Sequence, residues 1–153
     1  MLRDQFSDAL KTAMKKKNLL GTSTVRLILA KLKDLDIEAR GKGHAELIDD
    51  AQVQRMLQGM IKQRRESITL YEQGKRMDLA DKERGEIAII EGFLPKQLSD
   101  AEAEAAIREI VAATGAQGIK DMGKVMAVLR ERLPGRLDGA AASAIVKRLL
   151  GAT

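Results

Sequence analysis

Phe93-Leu94-Pro95-Lys96-Gln97-Leu98-Ser99 divides the chain, since long charged helical patterns lie before it and three short alanine-rich ones lie after it. Proline lacks the backbone N–H that a helix interior needs and pushes the residue before it, Leu94, toward extended geometry, so a helix stops here. Ser99 with Glu102 makes a capping-box pattern, in which each side chain satisfies an orphan N–H, so a new helix starts at once. The boundary predicts two domains, residues 1–94 and 95–153. Phe93, Leu94 and Leu98 flank the proline and predict a joint packed against the protein.

Working back from the joint, Leu79, Ile87, Ile90 and Leu94 form one helical stripe, and Asp78 is the expected cap of that helix. Gly74 reads as the left-handed residue ending the helix before it, so Lys75-Arg76-Met77 joins two helices in a long antiparallel hairpin. The first arm opens at Asp49, boxed with Gln52, and carries Val53, Leu57, Met60, Ile61, Ile68 and Tyr71 on one face. Arg64 shares that face. A guanidinium there requires either a carboxylate, with Glu83 and Glu91 as candidates, or a bound anion, because an unpaired buried charge is strongly destabilising. Gly85 and Gly92 each cost a helix about 1 kcal/mol relative to alanine, which fits either a close backbone approach or a tolerated surface position. Further upstream, Gly41-Lys42-Gly43-His44 is a loop with a solvated histidine. Val25, Ile28, Leu29, Leu32 and Leu35 mark a helix opening near Thr22 or Ser23, after a turn over residues 18–21. Leu2, Phe6, Ala9, Leu10 and Ala13 mark a first helix ending at Lys15-Lys16-Lys17.

Beyond the joint, Ala103, Ala106, Ile107, Ile110 and Val111 repeat on one helical face that Thr114-Gly115 terminates. Asp121 is the expected cap of a second short helix with Met122, Val125, Met126, Leu129 and Leu133 inward. Pro134-Gly135-Arg136-Leu137-Asp138-Gly139 is a turn whose Asp138 caps a third, directing Ala142, Ile145, Val146 and Leu149 to the same core. The fold class is all-α: N-terminal helices with a long hairpin, then a compact three-helix module.

Composition agrees with that class. Of 153 residues 44% are apolar, yet the aromatics are only Phe6, Tyr71 and Phe93, so the core is aliphatic, which suits helices better than sheets. The absence of cysteine excludes a disulfide, a thiol nucleophile and a zinc–thiolate site. No P-loop, dinucleotide fingerprint, HExxH or GxSxG occurs, so no catalytic residue, metal ligand or cofactor is assigned. The charged start of the chain and the lack of a membrane-length apolar run predict a cytoplasmic protein that is neither secreted nor membrane-inserted.

The net charge of +5 is unevenly spread: residues 99–113 hold four acids against Arg108, whereas residues 115–153 hold seven Lys or Arg against three acids. Lys120, Lys124, Arg136, Lys147 and Arg148 are the candidate contacts for a polyanion. Two glycine-containing helix starts, Gly118-Ile119-Lys120-Asp121-Met122-Gly123-Lys124 and Gly135-Arg136-Leu137-Asp138-Gly139, offer backbone N–H groups to phosphate, although the capping aspartates compete for them.

These same blocks, together with Thr24-Val25-Arg26-Leu27-Ile28-Leu29-Ala30, Lys62-Gln63-Arg64-Arg65-Glu66-Ser67-Ile68, Tyr71 and the joint, resemble the YqeY family across nearly the whole chain. The last portion is similar to the tail domain of GatB, a subunit of the glutamine-dependent amidotransferase that amidates misacylated Glu-tRNA or Asp-tRNA. The resemblance implies a helical module that contacts tRNA while glutaminase and kinase chemistry resides elsewhere. Lys120, Lys124 and Arg136 carry over in the matching blocks, and Leu137 stands where a small residue is expected, narrowing the approach to that loop. The expected function is a non-catalytic tRNA-binding or tRNA-amidotransferase-associated protein, linked by resemblance to carbon–nitrogen ligase chemistry with glutamine as amido donor. Two alternatives are a protein-interaction adaptor, whose hairpin docks a partner, and an amidotransferase component completed by a separate glutaminase.

Overall fold

In a computed structural model, which describes residues 1–151, the apolar stripes form seven α-helices, and no strand occurs among the described residues. They are α1 (Leu2–Lys15), α2 (Leu19–Gly41), α3 (Asp50–Gln73), α4 (Met77–Glu91), α5 (Asp100–Thr114), α6 (Met122–Arg132) and α7 (Gly139–Gly151), with a 3-10 turn at Ile119–Asp121. The chain divides into two compact units, Met1–Leu94 and the part from Pro95 onward.

The first unit buries Leu2 and Phe6 of α1, Val25 and Ile28 of α2, Val53 and Leu57 of α3, and Ile90 of α4 in one aliphatic core. Each such side chain contributes about 1.5–3 kcal/mol by leaving water. Phe6 meets Phe93 edge to face, with ring centroids 4.9 Å apart, and Leu94 joins the same core. Polar contacts add direction. Arg3 makes a bidentate pair with Asp36 at 2.7 and 2.8 Å and also donates to the Ile48 carbonyl, while the Ile48 N–H donates to Asp36. The Arg3 hydrogen bonds, chiefly, hold the Asp36 carboxyl below its ordinary range. One carboxylate thus ties α1, α2 and the segment before α3 together.

α3 and α4 run antiparallel along each other, coupled by Arg64–Glu86, Arg65–Glu91 and Glu72–Arg84 pairs. Arg64 does pair with carboxylates, but Glu91 is not one of them: its Nε lies 2.7 Å from Glu86 and 3.7 Å from Glu83. Glu91 instead pairs with Arg65 on the exposed side. One partly buried guanidinium therefore faces two carboxylates. Burial first, then the Glu86 charge, pushes the Glu83 carboxyl up against the opposing pull of Arg64.

In the first unit the starts of α2 and α4 and the end of α3 differ from the pattern reading. α2 starts at Leu19, because Asn18 caps it by accepting the Gly21 N–H at 2.9 Å, so the expected turn over residues 18–21 is the first helical turn. Gly74 has φ −82°, and it is Lys75, at φ 57°, that takes the left-handed position. The Lys75 and Arg76 N–H groups then reach the Glu72 and Tyr71 carbonyls, and this pair of bonds offsets the cost of a left-handed lysine. Asp78 lies inside the first turn of α4, paired with Arg76, and does not cap it. The capping boxes Asp49/Gln52 and Ser99/Glu102 form as their spacing requires. Gly85 is a close approach: a Cβ there would sit 2.7 Å from Leu20 Cδ2.

In the second unit Ile107, Ile110, Val125, Leu129, Ala142, Val146 and Leu150 form the core shared by α5, α6 and α7. Its leading segment is pinned to the α6–α7 turn. The Leu98 N–H donates to the Arg136 carbonyl at 3.0 Å, Gln97 Nε2 to the Gly135 carbonyl at 2.7 Å, and Arg136 Nε to the Lys96 carbonyl at 3.0 Å.

Thermal unfolding tests the Arg64 cluster. Arg64→Ala strands buried carboxylates and should cost about 3–5 kcal/mol, lowering Tm by roughly 10 °C, whereas Arg65→Ala breaks an exposed pair and should cost under about 1 kcal/mol. A carboxyl whose folded pKa is raised stabilises the fold below its unfolded pKa, and that contribution is lost as pH rises through the folded value. Glu83→Gln should therefore raise Tm near pH 7 and lose that advantage at about pH 3.5, below the unfolded carboxylate range. Limited trypsin digestion tests the joint: cleavage after Lys42 should precede cleavage after Lys96, and equal rates would show that residues 95–99 are not held.

Candidate nucleic-acid interface

The loop between α5 and α6 begins where Gly115 adopts φ 69°, a conformation that glycine takes without a Cβ penalty. Gly118 is extended, the 3-10 turn follows, and α6 starts at Met122. Asp121 does not cap α6 with its side chain. Its Oδ2 reaches back to accept the Gln117 N–H at 2.9 Å. That bond is the main reason the Asp121 carboxyl lies below its usual range, with the Gly118 N–H and the charges of Lys120 and Lys124 adding to it against the burial penalty. At the end of the 3-10 turn the Asp121 carboxylate bonds the preceding loop and not the start of α6. A carboxylate of the protein thus already fills the loop site that the sequence offers to phosphate. At the other candidate helix start, Asp138 caps α7, accepting the Ala141 N–H at 3.1 Å.

The five candidate cations separate into two kinds. Lys120 and Lys124 are exposed and stand one helical turn apart where α6 begins. Lys147 is exposed on α7, one turn before Gly151 on the same face, and Ile119 Cδ1 lies 3.6 Å from where a Gly151 Cβ would be. The point of α7 that lies beside Ile119 is thus Gly151, one turn after Lys147. Arg148 turns instead to α5, pairing with Glu104 at 3.2 Å, where Arg108 also binds the same carboxylate at 2.8 Å. Arg136 lies at the opposite end of α7, about 20 Å away along a helix of 13 residues, with Nε given to the Lys96 carbonyl. Leu137 packs against the core of this unit, which accounts for a large residue in that turn.

Exposed Ile119 beside Lys120 is the feature the sequence reading did not single out, since its position in a 3-10 turn is not legible from helical periodicity. No cluster of acids and histidine able to hold a metal occurs among the described residues, and His44 is exposed. Among those residues no helix is long and apolar enough to cross a membrane.

Comparison with known proteins gives a consistent placement. The chain is 35% identical over 95 residues to "Altered inheritance of mitochondria protein 41, mitochondrial" of Candida glabrata, covering 62% of this chain and 50% of that protein. It is 34% identical over 95 residues to the protein of the same name from Lachancea thermotolerans, covering 62% of this chain and 49% of that one. An uncharacterised protein of Schizosaccharomyces pombe is 29% identical over 100 residues, covering 65% of this chain and 74% of that one. The chain spans about half the length of the first two relatives. The family described as Yqey-like protein matches residues 3–150, and this chain belongs to that family.

Proposed function

We propose that the protein binds tRNA without catalysing a reaction on it, using the cationic end of its C-terminal unit. One observation carries the reading: Lys120, Lys124 and Lys147 are exposed and, among the described residues, none makes an ion pair, whereas Arg148 is spent on Glu104 and Arg136 on a backbone carbonyl. The likeness of this unit's sequence blocks to the tail domain of GatB supports tRNA as the polyanion. Recognition is by charge and shape, because the unit contains no aromatic residue on which a base could stack. Arg136 and Arg148 contribute second, after release from their internal partners. Association with a tRNA amidotransferase is the finer form of the reading, tested by whether the protein stimulates amide transfer in a mixture reconstituted with a glutaminase subunit. A cytoplasmic location belongs to the same reading, while the fungal relatives are named as mitochondrial.

Filter binding with bulk tRNA over a range of salt concentrations tests the core of the proposal. Each neutralised phosphate adds about 0.7–0.9 to the slope of log K against log salt. The variant Lys120→Ala/Lys124→Ala/Lys147→Ala should therefore lower that slope by about 2–3, and Arg148→Ala should change it by less than about 1. Undetectable binding of the wild type at low salt discards the reading.

A further inference from the structure

A groove of about 520 Å³ runs between α2 and α3 of the N-terminal unit, walled by Leu35, floored by Met56, Gly59 and Met60, and edged by Lys31 and Arg55. Gly59 is its least explained residue. It sits within a 24-residue helix, where glycine costs about 1 kcal/mol relative to alanine, yet a Cβ added there meets nothing within 4 Å. No neighbour in this fold needs that space, in contrast to Gly85, which makes room for Leu20. The open floor permits another backbone to approach closely.

The walls and edges define what approaches. Met56 and Met60 are buried core residues whose edges reach the groove, and methionine side chains are flexible and polarisable enough to re-pack against an incoming apolar surface. Leu27, half exposed at 50%, lies one turn before Lys31 on the same face of α2, and Leu70, 67% exposed, lies on the same line of α3 as Gly59. Both are exposed apolar residues outside the groove lining. Lys31 and Arg55 are exposed and make no ion pair among the described residues; of the acids near Lys31 on α2, Asp34 is exposed, Asp36 is held by Arg3, and Glu38 pairs with Lys42 while also feeling the Lys31 charge. The groove therefore combines apolar surface from Leu35, Met56 and Met60 with the amides of Gln52 and Gln63, and carries a cation on each edge.

We propose that this groove receives an acidic amphipathic α-helix of a protein partner. Its apolar face lies on Leu35, Met56 and Met60, its backbone comes close at Gly59, and Asp or Glu on its two flanks meet Lys31 and Arg55. An apolar floor between two cations disfavours a simple inorganic anion, and the absence of an aromatic platform disfavours a nucleic-acid strand. This inference is independent of the tRNA reading, which concerns the other unit.

The test uses the full chain and a synthetic 18-residue helical peptide with leucines on one face and glutamates on both flanks, beside a control peptide with lysines for the glutamates. Fluorescence anisotropy should show the acidic peptide binding at least tenfold more tightly than the control, and the Met56 and Met60 methyl NMR signals should shift on its addition. Gly59→Leu fills the floor and should weaken binding at least tenfold while leaving Tm unchanged or higher. Lys31→Glu/Arg55→Glu, a pair of surface changes that serves if Gly59→Leu fails to fold, should reverse the preference between the peptides. Equal binding of the two peptides, no binding of the acidic one, unmoved methyl signals, or movement of those signals by tRNA and not by the acidic peptide would each overturn the proposal.

Discussion

The edge-to-face contact of Phe6 with Phe93 closes the N-terminal unit, since it joins the first helix to the last residues before Pro95. In a core otherwise built from Leu, Ile, Val, Met and Ala, this aromatic pair supplies directional packing, about 0.5–1.5 kcal/mol beyond its buried area. Its placement has local consequences. With Phe6 anchored, the helical turn that carries it sets Arg3 over Asp36, and Asp36 in turn accepts the Ile48 N–H just before the α3 capping box. With Phe93 anchored and Leu94 buried beside it, Pro95 ends the unit at a residue that cannot propagate a helix.

The parts of this structure legible in the sequence are those whose partners lie within one or two helical turns. Capping boxes at Asp49/Gln52 and Ser99/Glu102, the cap at Asp138 and the apolar stripes all depend on spacings of three or four residues, which a sequence displays directly. The Arg3–Asp36 pair spans 33 positions and the Arg64–Glu86 pair 22, so their choice of partner depends on how helices pack. Arg64 illustrates the limit: its place on an apolar stripe required a carboxylate or a bound anion, and only the packing of α3 on α4 selects Glu83 and Glu86 over Glu91. Lys75 illustrates another, because glycine preference is an energetic bias that two backbone hydrogen bonds outweigh at that helix end.

The same distinction governs the candidate site. As a count of charges, the seven cations of residues 115–153 are equivalent, and nothing in their spacing separates them. Tertiary structure separates them by occupation. Arg148 meets an α5 carboxylate because α5 and α7 share a core, Arg136 bonds a carbonyl of the segment leading into α5, and Asp121 turns back onto its own loop. What is left toward solvent is Lys120, Lys124 and Lys147, with Arg130 and Arg132 of α6, and the lysines have flexible stems and compact charges that suit phosphate contact without base readout.

Two glycines within helices show how a local cost locates a function. Gly85 and Gly59 carry the same propensity penalty, and the sequence alone cannot tell them apart. At Gly85 the penalty is offset by packing, since the Leu20 side chain occupies the volume a Cβ would take. At Gly59 the volume is empty and opens on a groove with methionines below and cations at its edges. A destabilising residue explained by a neighbour belongs to the fold. Gly59 and Gly123 of α6 both lack a neighbour that needs the space, and what sets Gly59 apart is its place in a groove with methionine edges below and a cation on each side, where the proposed acidic helix lies.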